Sequence, residues 1–195
     1  MFVELMVALL IGLSPAVEFK EDFSGKQLLS WETLSGSWKT QGGELLGSSS
    51  GGDGLIFFKG GVLKNFSLEC KIKVENREGS LVFRALDRNN LYLLVLNPKI
   101  GEEAQGSVLL LRRVNGKETY FAGCEQYFPK NEQVKLKVVC EGSKIDVYVN
   151  DKFTLSAEDK TFTSGFTGFR VFGDIFNGAR ASFQEFSVRE LEVKK

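Results

Sequence analysis

The chain has 195 residues, enough for one domain with a sizeable core, and its 25 Lys plus Arg are matched by 25 Asp plus Glu. This balance argues against nucleic acid, whose phosphates need a basic patch, and against a polybasic membrane surface. Histidine is absent, which removes the commonest general base and metal ligand along with every Ser-His or Cys-His nucleophile. The 21 Gly and 17 Phe against 3 Pro suit short strands joined by tight turns.

In chain order, residues 1–16 (MFVELMVALLIGLSPA) come first, almost wholly apolar from Leu5 to Leu13 and ending on small residues at Ser14 and Ala16. The segment resembles a secretory signal peptide, although Glu4 stands where a basic residue is usual. It is short for a membrane helix. The expectation is a leader over 1–16, a single domain over 17–195, a secreted or periplasmic location and no membrane span in the mature chain. The alternative is a buried N-terminal strand or helix.

Beyond Ala16 no amphipathic helical pattern occurs, and apolar residues recur with period two. Phe66, Leu68, Cys70, Ile72 and Val74 alternate with Ser67, Glu69, Lys71 and Lys73. Further along, 91–96 and 108–111 are apolar at nearly every position, as in strands covered on both faces or lining an apolar groove. Val134, Leu136, Val138 and Cys140 alternate with Lys135 and Lys137, and Ile145, Val147 and Val149 follow the same rule. Half-buried alternation belongs to antiparallel sheets. Asn89-Asn90, Asn115-Gly116, Gly142-Ser143 and Asn150-Asp151 supply the turns. No repeat of fixed period appears, which argues against a propeller or solenoid. Strands at this spacing predict an all-β sandwich or barrel. Cys70 and Cys140 are expected to be buried small hydrophobes, with a disulfide between them open if their strands are neighbours. Cys124 is left over, and the three cysteines have no metal spacing.

The order of short motifs carries a resemblance: Asp22-Phe23-Ser24-Gly25, Trp31, Gly36-Ser37-Trp38, GSLVFRALD over 79–87, Asn90-Leu91-Tyr92, VVCEGSKIDVYVN over 138–150 and GFTGFRVF over 165–172. It resembles the concanavalin A-like and laminin-G-like jelly rolls, most of all the fructan-binding carbohydrate-binding modules and the 3-keto-disaccharide hydrolase-like domains. The resemblance implies a two-sheet antiparallel jelly-roll sandwich and an oligo- or polysaccharide partner. It also implies ligand-binding roles for the Arg and acidic residues near these motifs.

Candidate chemistry is sparse. The laminarinase-type string Glu-x-Asp-x-x-Glu is missing, its nearest echo being Glu190-Leu191-Glu192. Asp87, Glu125, Asp159 and Asp174 are the loop acids that a glycosidase would have to bring together. No cofactor is expected. A structural calcium ion wants about six to eight oxygens, and only the acid pair Glu21-Asp22 suggests one. Alternation sends Arg84, Tyr92 and Arg170 away from Phe83, Leu91 and Phe169. If the core claims those apolar residues, the polar three share one exposed face, where an aromatic ring and guanidinium forks suit a sugar. The expected ligand set is Arg84, Asp87, Asn90, Tyr92 and Arg170, with Trp31 and Trp38 as core or edge anchors. Expected function is a secreted, non-catalytic carbohydrate-binding module. The alternatives are a glycoside hydrolase of the same fold and a laminin-G-like adhesion module.

Overall fold

Period-two apolar segments separated by residues that tolerate left-handed backbone leave the chain little choice but strands and tight turns, and these fill the computed structural model. It describes residues 18–25, 27–98, 106–126, 128–174 and 176–192; the expected leader lies outside them. The strands are β1 (Glu18–Glu21), β2 (Trp31–Ser35), β3 (Ser37–Gln41), β4 (Glu44–Ser49), β5 (Gly52–Leu63), β6 (Phe66–Asn76), β7 (Glu78–Asp87) and β8 (Asn90–Asn97). They continue with β9 (Ser107–Val114), β10 (Lys117–Glu125), β11 (Gln133–Glu141), β12 (Lys144–Val149), β13 (Lys152–Glu158), β14 (Gly165–Gly173) and β15 (Ala179–Glu190). Among the described residues no helix is long and apolar enough to cross a membrane.

The strands form two antiparallel sheets packed as a jelly-roll sandwich. The first runs β13-β12-β11-β6-β15-β4-β3, with β1 also paired to β15; the second runs β10-β9-β8-β7-β14-β5-β2. Turns follow their chemistry. Asn115 and Gly116 both have positive φ (50° and 81°), as do Asn150 and Asp151 (49° and 63°), the backbone of hairpin turns whose twist matches the flanking strands.

The inter-sheet core takes Leu68, Ile72, Leu136, Val138 and Val147 from the first sheet and Leu81, Phe83, Leu94 and Phe169 from the second. Trp31 stacks on Phe169 with ring centroids 5.1 Å apart, and Phe169 stacks on Phe183 at 4.3 Å. Each buried Phe contributes roughly 1.5–3 kcal/mol, and each aromatic pair adds about 0.5–1.5 kcal/mol. Trp31 therefore sits in the core, as expected, and Trp38 packs at its margin against Phe183.

The second sheet is apolar on its outer face too. Leu55, Phe57, Val82, Ala85, Leu91, Leu93 and Val95 form a separate buried cluster there, which accounts for the unbroken apolar run 91–96. The sheet is rolled. Three strands separate β9 from β5, which on a flat sheet puts them about 19 Å apart, at about 4.8 Å per strand. Arg113 Nη1 on β9 nonetheless lies 2.7 Å from Asp53 Oδ2 on β5. Only strong twist and curl bring these corners together, and the closure buries the floor between them.

Cys70 and Cys140 are both buried and free. Their strands β6 and β11 are neighbours, but Cys70 lies opposite Leu136 and Cys140 opposite Phe66. An offset of four residues is roughly 13 Å at about 3.3 Å per residue, beyond the reach of a disulfide.

Candidate functional site

The expected shared face of Arg84, Tyr92 and Arg170 does not form. Their exposures are 0%, 0% and 1%; Arg84 and Tyr92 both bond the backbone of Phe162, whereas Arg170 pairs with Asp53. At Arg84 the alternation is broken by a left-handed bulge (φ 46°), with the β7–β8 register slipping between Phe83 and Asp87. The guanidinium donates to the carbonyls of Lys64 (2.8 Å), Gly142 (2.8 Å) and Phe162 (3.3 Å), tying three loops at one end of the sandwich. The bulge presses on β14. A Cβ on Gly165 would meet the Arg84 carbonyl carbon at 2.3 Å, so only glycine fits there.

Tyr92 pairs with Phe83 on the core side, while Leu91 and Leu93 take the outer face. Its hydroxyl donates to Asp159 Oδ1 at 2.5 Å and accepts from the Phe162 amide at 3.1 Å. Burial, helped by Asp159, pushes the phenol up to about 12. Asp87 and Asn90 are turn residues. Asp87 accepts from the Asn89 amide (2.6 Å) and from Asn90 Nδ2. Asn90 Oδ1 accepts from the Asn115 amide at 3.0 Å, pinning the β7–β8 turn to the β9–β10 turn.

The loop acids considered for catalysis stay apart. Asp159 pairs with Arg112, Asp174 with Arg77, and Asp87 stays in its own turn; Glu125 is exposed at the end of β10. At Glu21-Asp22 the carboxylates accept from the amides of Phe23 and Ser24. Among the described residues no group of three or more His, Cys, Asp or Glu is placed to hold a metal.

Arg170 does leave the core side, as alternation predicts, and it organises the polar site of the outer face. Its Nε donates to Asp53 Oδ1 at 2.6 Å. Its Nη1 lies 3.5 Å from Glu78 Oε2 and its Nη2 lies 3.4 Å from Glu118 Oε1. Arg113 contacts the same Asp53, donates to Glu118 through Nε at 3.0 Å, and anchors to the Arg88 carbonyl at 2.9 Å. The ring of half-buried Phe172 lies 4.2 Å from the Arg170 guanidinium. Above this array opens a pocket of about 390 Å³ lined by Asp53, Arg88, Asn89, Arg113, Glu118 and Phe172, among others.

The electrostatics separate the acids. Burial pushes the Asp53 carboxyl up, but hydrogen bonds and charge from Arg113 and Arg170 outweigh it and hold the group below the usual carboxylate range. Burial raises Glu78, and the attraction of Arg170 does not cancel it. On the floor, Ser80 Oγ, beside Arg170 across the β7–β14 ladder, and Arg170 Nη1 are buried without a hydrogen-bond partner. Forked guanidiniums and carboxylates present paired donors and acceptors at fixed spacing, the pattern that suits vicinal hydroxyls. Phe172 adds an apolar plate beside them.

Of this set sequence reasoning found Arg170 alone. Asp53 lies in the Ser/Gly-rich stretch 47–54 and reads as a loop acid. Arg113 and Glu118 flank the Asn115-Gly116 turn, a readable hairpin pair; that they reach Asp53 depends on the curl of the whole sheet.

The sequence model of the 3-keto-alpha-glucoside-1,2-lyase-like domain matches residues 18–194. A levanase of Bacillus subtilis (strain 168) is 25% identical over 149 residues, covering 74% of this chain and 21% of the levanase; the chain thus spans about a fifth of that relative's length. Among solved structures, the carbohydrate binding module CBM66 from Bacillus subtilis superposes with a TM-score of 0.73 at 25% identity, over 83% of this chain and 96% of that one. The GH43 BlXynB protein from Bacillus licheniformis shares the fold, with a TM-score of 0.67 at 17% identity, over 88% of this chain and 39% of its own.

Proposed function

The chain belongs to the 3-keto-alpha-glucoside-1,2-lyase-like domain family, and from that premise we propose that it is a non-catalytic carbohydrate-binding module whose site is the pocket lined by Asp53, Arg113, Glu118 and Phe172 above the buried Arg170. The observation that carries the reading is the pocket lined by Asp53, Arg113, Glu118 and Phe172, whose Asp53 carboxylate is fixed from below by the buried Arg170 guanidinium. Such an array is pre-organised, so a sugar meets donors and acceptors already in place and little ordering remains for binding to offset. Likeness to a carbohydrate binding module and to a levanase supports the same partner.

Binding fits the ion pairing of Asp53 and Glu118 better than cleavage does. A general acid must carry a proton and a nucleophilic carboxylate must be free. Asp53 is held ionised by two guanidiniums, and both Arg113 and Arg170 lie on Glu118. Asp87 and Asn90, named from the resemblance, shape this pocket by holding the β7–β8 turn, while Arg84 and Tyr92 serve the fold.

A second reading, a carbohydrate-cleaving enzyme, is favoured by one feature. Asp53, Glu78 and Glu118 converge on Arg170, and burial pushes the Glu78 carboxyl up. The test is a glycan array on the domain over residues 17–195, with each hit then incubated and assayed for new reducing ends. Binding without product supports the module. Product that Glu78→Gln abolishes favours the enzyme.

Export belongs to the same proposal. Expressed with its leader in a bacterial host, the protein is expected in the periplasm beginning at Val17; N-terminal sequencing that returns Met1 from the cytoplasm contradicts this.

A further inference from the structure

A second pocket, of about 560 Å³, opens on the other side of the β7–β8 turn, between that turn and strands β2 and β5. Its apolar lining is Leu34, Phe57, Phe58, Leu86 and Phe166, and the charged Glu32, Lys59 and Arg88 also line it. Leu86, at the end of β7, is 58% exposed, an apolar side chain left at the pocket mouth. The two pockets are joined by three consecutive residues: Asp87 lines the apolar one, Asn89 the charged one, and Arg88 both.

We infer that the apolar pocket is a second subsite for the same ligand, and that the ligand class is a glycoside bearing an aryl or alkyl group, its sugar in the charged pocket and its apolar group against Leu34, Phe57, Leu86 and Phe166. This rests on the carbohydrate reading of the charged pocket. A second sugar ring suits the apolar pocket less well, because those of its hydroxyls that face Leu34, Phe57 and Phe166 would be buried without a partner, which is costly. An aromatic ring needs no partner there and gains from the area it removes from water. The volume is within the range of small-molecule sites, and the two pockets adjoin at Arg88, which lines both.

The test is calorimetry with matched methyl and 4-nitrophenyl glycosides of glucose, galactose and fructose. For the sugar that binds, the 4-nitrophenyl form is expected to bind at least tenfold more tightly than the methyl form. Leu86→Glu, at an exposed position, is expected to erase that advantage and leave the methyl glycoside unchanged; Phe172→Ala weakens both. Equal affinity of the two forms, or an advantage that survives Leu86→Glu, overturns the inference while leaving the carbohydrate reading in place. If no glycoside of either kind binds, both fall. A concentration-dependent dimer that Leu86→Glu splits, with no preference for the aryl form, overturns it in favour of a second copy of the chain.

Discussion

Two arginines on neighbouring strands have different work, and their partners show it. Arg84 donates only to backbone carbonyls, so it holds loops and offers nothing to a ligand. Hydrogen bonds from a charged donor are worth about 1.5–3 kcal/mol each. Arg84→Ala is therefore expected to cost at least about 3 kcal/mol and to lower Tm by about 6–12 °C for a chain of this size; a melt within 2 °C of wild type would contradict this. In the ion cluster the pH signs oppose. Glu78 has a raised carboxyl, so ionising it costs stability at neutral pH, and that cost is relieved as pH falls toward its ordinary value of 4.5. Asp53 is lowered, so its contribution is complete above its ordinary 3.8 and is lost only as pH falls through its lower folded value. Glu78→Gln is thus expected to melt higher than wild type at pH 7, with the difference closing toward pH 4.5. A variant that melts lower at pH 7 would show that Glu78 is needed as a counter-ion to Arg170.

At the level of strands, what the sequence made legible depended on whether a strand has one polar face. In β6, β11 and β12 the charged residues mark the solvent side, and the alternating apolar positions Phe66 to Val74, Val134 to Cys140 and Ile145 to Val149 reach the core. There the register can be checked chemically. Cys70 and Cys140 are buried, and burial raises both thiols, Cys140 to about 12. They are expected to react slowly with a thiol reagent in native protein, later than half-buried Cys124, and non-reducing mass spectrometry is expected to find them unbridged. Fast labelling of either would contradict the register. In β7 and β8 both faces are apolar, so alternation has no reference. A tyrosine among leucines reads as the outward residue, yet Tyr92 faces the core because Asp159 and the Phe162 amide satisfy its hydroxyl there. The Arg84 bulge left no sequence mark that alternation could use.

The whole molecule explains why the fold was readable and the site was not. Two antiparallel sheets and their turns follow from local periodicity and turn chemistry, and motif order added the jelly-roll class. The candidate site is assembled from β5, β7, β9, β10 and β14, whose corners meet only because the second sheet rolls through several strands. No local pattern encodes that closure, and a residue such as Asp53 gains meaning only from Arg113, 60 positions later. The same roll buries Arg170, which holds Asp53 and Glu118 at the pocket, and places the charged and apolar pockets on either side of one turn. The measurement that bears most directly on this account is calorimetric titration of a glycan-array hit into wild type and Phe172→Ala, with the melting temperature of each. Phe172 is half-buried beside the pocket and away from the core, so the account predicts at least tenfold weaker binding with Tm nearly unchanged. Wild-type affinity in Phe172→Ala would contradict it.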